Sequence, residues 1–213
     1  PPLVECVPKR KTTISGKWDT KLPSTASELI FDPTPACTFA LMLKIIVSKT
    51  DNKDLETYLL RRLLVELHAS YADKYKEHVM SVMTAEGKKN MMQQIYWNQI
   101  SFEDLVMSES YYLTNMDIWM LGVYYELPII FLSGTTLAEN DDSIMITMKS
   151  PDDSYYIIKS HPPKPDKPSK YRLIALGHTI YIPLAELPKA MRILINDIVT
   201  GQSEEHKPMV DIE

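Results

Sequence analysis

The feature that most constrains this chain is a change of hydrophobic period at Pro128. Before it, apolar residues recur at helical spacing; after it, they fall into short β-branched and aromatic runs. The run from Cys37 to Val47 is too long for a typical strand and reads as a buried helix. Asp51 or Asn52 can cap a second helix, in which Leu55, Leu59, Leu63, Val65 and Leu67 mark one face and Arg61 and Arg62 the solvated one. Met91, Met92, Ile95, Tyr96 and Ile100 outline a third helix. Ser101-Phe-Glu-Asp104 and Thr114-Asn-Met-Asp117 both have the form of a capping box at a helix start. The second opens a helix over 115–126, with Met116, Trp119, Met120 and Val123 as its core stripe.

Beyond Pro128, strands are expected at 129–132, 144–148, 155–158, 171–176 and 179–182. A closing helix follows over 185–199, with Gly201 as its stop. Residues 161–170, HPPKPDKPSK, hold four prolines. They cannot enter a sheet interior and read as an exposed, stiff loop. Helices mostly N-terminal and strands mostly C-terminal make this an α+β chain. Residues 1–30 read as an irregular arm with a short strand at 29–31, residues 31–201 as the domain, and residues 202–213 as a polar tail.

Composition limits the function. The chain has 213 residues, a formal charge of −5 and 45% hydrophobic residues, as expected of one soluble globular domain. The acidic balance argues against a nucleic-acid partner. No apolar run approaches the roughly 18 residues needed to span a bilayer, and no membrane association or signal peptide is read. The chain opens at Pro1 rather than Met and reads as a processed or excised piece. Two cysteines, Cys6 and Cys37, make neither a disulfide framework nor a metal cluster, so a reducing, cytoplasmic setting is expected. No glycine-rich phosphate loop and no zinc spacing is present, so neither cofactor nor metal is expected.

The segment DPTPACTF, residues 32–39, carries the one candidate nucleophile. Pro33 and Pro35 keep the chain extended and set a helix start. Cys37 then lies in the first turn, near unpaired backbone N–H groups and the positive end of the helix dipole, which lowers a thiol's pKa. The rival reading is a buried core cysteine. A thiol nucleophile needs a base. His68 and His78 read as helix-surface residues, His161 as a solvated loop residue and His206 as part of the tail. His178, at the joint of the last two strands, is the candidate base, with a simple turn histidine as the alternative.

Three segments in order resemble the ovarian-tumour (OTU) family of papain-like cysteine proteases. Cys37-Thr38-Phe39-Ala40-Leu41 is similar to the family's cysteine box. YYLTNMDIWMLGVYYELPIIFLS is similar to its helix–Pro–strand segment, through Thr114, Asp117, Leu121, Pro128 and Ile129. YRLIALGHTIYIPL is similar to its penultimate strand, catalytic histidine and last strand. The pattern has the look of a divergent, viral member, which would place it in host cytoplasm.

The resemblance implies a papain-like OTU fold, with a small twisted central sheet flanked by helices. It implies a cysteine isopeptidase that removes ubiquitin or a ubiquitin-like modifier from conjugates. Cys37 would attack the isopeptide carbonyl, and His178 would take the thiol proton and return it to the leaving amine. Two departures stand out. The residue two places after the histidine is Ile180, where the family usually has Asp or Asn, leaving Asp32 as the candidate orienting residue. Thr34-Pro35-Ala36 replaces the family's Asp-Gly-Asn turn, and Pro35 removes one oxyanion donor, so more would fall to the Cys37 N–H. These departures motivate the alternative, a catalytically inactive OTU-like domain that serves as a protein-binding module.

Overall fold

The computed structural model describes residues 6–14, 16, 18–50, 54–133, 144–161 and 164–205. It is a mixed α+β fold. Two strands, β1 (Lys9–Lys11) and β2 (Ala26–Phe31), precede five helices: α1 (Pro35–Thr50), α2 (Thr57–Ala85), α3 (Lys89–Tyr96), α4 (Phe102–Met107) and α5 (Asn115–Tyr124). Then come β3 (Ile129–Ser133), β4 (Ile144–Ile146), β5 (Ser154–Ser160), β6 (Tyr171–Leu176), β7 (Ile182–Pro183) and α6 (Lys189–Glu205). The caps expected at Asp51 or Asn52, the acidic turn at 139–142 and tail residues 206–213 lie outside the described residues.

The sheet runs β1-β2-β6-β5-β3-β4, with β7 pairing off β5. Among the described residues only β3 and β5 are parallel neighbours. Alternation along the strands sends side chains to two cores. Phe31, Tyr156, Ile158, Tyr171, Leu173 and Ala175 pack with α1 and the helices beyond it. Ala26, Ile157, Ile174 and Ile182 pack on the other side with Trp18, Leu22 and the α6 residues Met191 and Ile195. The expected arm is therefore part of the domain. The boundary placed at residue 31 falls inside β2, an interior strand, and Trp18 is 1% exposed.

The Thr114 capping box forms in full, and Ser101 caps α4 through its side chain. Ser101 Oγ accepts from the Asp104 N–H at 3.0 Å, and Thr114 and Asp117 cap α5 reciprocally. The stripe expected on α5 is not its buried face. Val123 is exposed and Met116 and Trp119 are half-buried, while Asp117, Ile118, Met120, Leu121 and Gly122 turn inward. Gly122 permits the close approach of α5 to β3, since a Cβ there would sit 3.1 Å from Ile129 Cδ1. Arg61 is buried rather than solvated. It donates to the Val106 and Ser108 carbonyls at 2.6 and 2.7 Å and lies over the Phe39 ring.

At the centre of the helical layer lies a polar cluster with Asp117, Lys88, Tyr111 and His68 each no more than 1% exposed. Asp117 Oδ1 accepts from Tyr111 Oη and His68 Nε2, both at 2.8 Å. Its Oδ2 accepts from Lys88 Nζ at 2.7 Å, from the Thr114 N–H at 2.8 Å and from Thr114 Oγ1 at 3.1 Å. Burial alone would raise the Asp117 carboxyl, but Lys88 and His68 outweigh it and hold the group well below the usual carboxylate range. A depressed carboxylate contributes stability that is fully present above its unfolded pKa and is lost progressively as pH falls from the usual carboxylate range toward the lower pKa of the folded state. Urea midpoints should therefore drop as pH is lowered from about 5. Asp117→Asn, which leaves the Lys88 ammonium buried without its partner, should cost about 3–5 kcal/mol at neutral pH and flatten that acid dependence.

Candidate active site

Cys37 occupies the first turn of α1, as its spacing implied, and is 6% exposed. Thr34 caps the turn: the Cys37 N–H donates to Thr34 Oγ1 at 3.2 Å, and the Thr38 N–H donates to the Thr34 carbonyl. The N–H expected to stabilise an oxyanion is thus already engaged within the cap. Thr38 Oγ1 donates to the Pro35 carbonyl and accepts from the Leu113 N–H, which ties the helix start to the segment before α5. The sulfur is engaged as well. Cys37 forms a disulfide with Cys6, their Cα atoms 5.2 Å apart, so the expectation of two unpaired cysteines is corrected. Support for a reducing compartment that rested on free thiols goes with it.

His178 is not beside Cys37. The antiparallel register of β2 and β6 pairs Ala26 with Leu176 at one end and Phe31 with Tyr171 at the other. Cys37 follows the Phe31 end and His178 follows the Leu176 end. Five residue steps separate the two ends, about 17 Å at strand spacing. The course of α1 agrees. Its last turn lies at His178's end, where Ser48 Oγ is 2.9 Å from Tyr156 Oη and Lys49 Nζ lies 5.0 Å from the Tyr181 ring centroid. Its first turn, with Cys37, therefore lies at the other end. The proposed Cys–His pair fails on register, because direct proton transfer needs heavy atoms within about 3 Å.

His178 itself sits exposed in a tight turn in which Gly177 has φ +61° and Leu176 pairs with Thr179. Ile180, two places on, belongs to the α1-side core. Asp32 does share Cys37's end of the sheet, but it is half-buried and paired with Lys9, with Nζ to Oδ2 at 2.9 Å.

One other histidine reaches that end. His161 follows β5, and its N–H donates to the Lys170 carbonyl at 3.2 Å. Arg172 Nη2 donates to His161 Nε2 at 3.2 Å, and Arg172 also donates to buried Glu28, as does Lys159. Glu28, Lys159 and Arg172 share strand parity with Ala26, Ile157 and Ile174, which puts them on the α6 face of the sheet. His161 thus joins a cluster across the sheet from α1. Burial, then the charges of Arg172, Lys159 and Lys170, push its pKa down, against a smaller opposing effect of Glu28.

The sequence reading missed these buried ions, and it placed His68 on the surface. The spacing Leu60, Leu64, His68 continues a buried stripe and was the available signal for the last. An apolar cavity of about 290 Å³ lies beside His68, where α2 breaks from helical geometry at Tyr75. Neither Cys37 nor His178 lines it. Among the described residues no group of His, Cys, Asp or Glu is placed to hold a metal ion, and no helix is long and apolar enough to cross a membrane. No family model, curated protein or solved structure matches this chain.

The disulfide closes a loop with a sequence separation of 31 residues. Loop-closure entropy of that size corresponds to about 3–4 kcal/mol. Cys6→Ser, or reduction of the wild type, should lower stability by that order in urea titrations monitored by circular dichroism.

Proposed function

We propose that this chain is an OTU-like domain that binds a protein partner without cleaving it. The observation that carries this reading is the β2–β6 register, which sets Cys37 and His178 at opposite ends of one strand pair. The Cys6–Cys37 bond, the Thr34 cap on the Cys37 N–H and the ion pair of Asp32 with Lys9 point the same way. Each of the three residues expected to act together already has a structural partner or lies out of reach. The α+β order that motivated the OTU comparison is retained: a cysteine-bearing helix, an α5–Pro128–β3 unit and a mixed sheet.

The competing reading is the cysteine isopeptidase, in which Cys37 is released by reduction and acts on ubiquitin or ubiquitin-like conjugates. The two separate in one experiment. The chain, oxidised and after reduction, is incubated with ubiquitin carrying a C-terminal thiol-reactive electrophile, and with di-ubiquitin. Wild type and Cys37→Ala should be equally inert in both assays. Labelling of reduced wild type that Cys37→Ala abolishes would establish the enzyme and end the binding-only reading.

A further inference from the structure

Residues 164–170 of the proline-rich segment between β5 and β6 are held in a defined shape. Lys164 and Lys167 pair across a tight turn in which Asp166 has φ +52°. The Asp166 N–H donates to the Gly87 carbonyl at 2.6 Å, and Asp166 Oδ1 accepts from the Asn90 N–H at 2.8 Å in the first turn of α3. Thus the one acidic side chain of residues 164–170 is turned to a helix start, while Lys164 and Lys167 are exposed and Lys170 is half-buried. Prolines at 165 and 168 restrict the backbone further.

These cations converge. Pro33, His161, Lys164, Lys167, Pro168 and Lys170 line a concavity of about 510 Å³ together with Ser169. Lys164, Lys167 and Lys170 make no ion pair with any other described residue. Three ammonium groups around one hollow repel one another, in a chain whose net charge is −5. Holding them there on a stapled, low-entropy loop removes much of the ordering cost that an anionic ligand would otherwise meet.

We propose that this concavity docks an acidic segment of a protein partner. The inference rests on the binding-module reading above and names the chemistry of what is bound. A peptide fits better than a nucleic acid, because among the described residues no Phe, Tyr or Trp lines the hollow as a broad platform for stacking bases, and its two prolines offer an apolar wall for a main chain. His161 reports on the site. It faces Arg172, Lys159 and Lys170, with Glu28 beyond them; burial, and then the field of those cations, pushes its pKa down. A bound carboxylate offsets that field, so proton uptake by His161 accompanies binding and affinity rises as pH falls toward the usual histidine range.

The test is fluorescence anisotropy of a labelled all-glutamate octapeptide with the full chain. Saturable binding at about 0.02 M salt, weakened at about 0.15 M, is expected. Lys164→Glu/Lys167→Glu should weaken it by about tenfold or more, whereas Lys164→Arg/Lys167→Arg should retain it. His161→Gln should keep the peptide bound but remove the rise in affinity between about pH 7.5 and 6. Circular dichroism spectra matching wild type show that the variants fold. Absence of binding, or binding indifferent to the charge reversal, overturns the site while leaving the electrophile result untouched. Equal or tighter binding of a uridine octanucleotide overturns the peptide assignment, as does a charge reversal whose only effect is to abolish self-association in sedimentation.

Discussion

The carboxylate of Asp117 is the point on which the helical layer depends. A buried charge is tolerable only when its desolvation is offset by hydrogen bonds and an opposite charge, and this one receives five bonds from four residues. The donors come from different places: His68 from α2, Lys88 from the turn before α3, Tyr111 from the segment after α4, and Thr114 from the cap of α5. A shift of any one of these segments takes at least one donor away from the buried carboxylate, and a shift of Lys88 also strands a buried ammonium. The local device that starts α5, a capping box, is therefore also the node that fixes where three other segments lie. Glu28 has the corresponding role on the far face of the sheet, joining β2 to β5 and β6 through Lys159 and Arg172.

Much of the architecture was legible because its signals are local. The period change at Pro128, the two capping boxes, the apolar run of α1 and the β-branched runs of β3, β5 and β6 each report on a few consecutive residues. What was not legible was long-range pairing. Nothing in GHT or DPTPACTF states which end of a strand lies beside which end of another, and a Cys–His pairing depends on that fact alone. The same gap hid the buried ions. Arg61 and His68 are polar types whose prior is solvent, and only the carbonyls of Val106 and Ser108 and the carboxylate of Asp117 make their burial tolerable. The N-terminal segment was misjudged for a related reason. Residues 26–31 lack clean alternation because Glu28 stands where an apolar residue would be expected, and its partners are more than 130 positions away.

Order along the chain and proximity in space thus separate clearly in this protein. The three segments that prompted the cysteine-protease comparison occur in the order that comparison expects, and two of them build the secondary structure expected of them. Yet the thiol is bound, its backbone N–H is spent on a cap, and the imidazole lies at the opposite sheet end. A site is a constellation, and succession supplies its members without bringing them together.

The Cys6–Cys37 bond has a consequence for the rim of the sheet. Three residue pairs hold β1 against β2, few for a strand that must shield its neighbour from solvent and from other chains. Cys6 lies just ahead of β1 and is fastened to a helix in the core, so the strand cannot drift away even when its ladder bonds break. Re-pairing stays intramolecular and wins over pairing with another molecule by effective concentration. A bond that silences the one candidate nucleophile also serves as a hem, keeping the edge of β2 from becoming a template for aggregation.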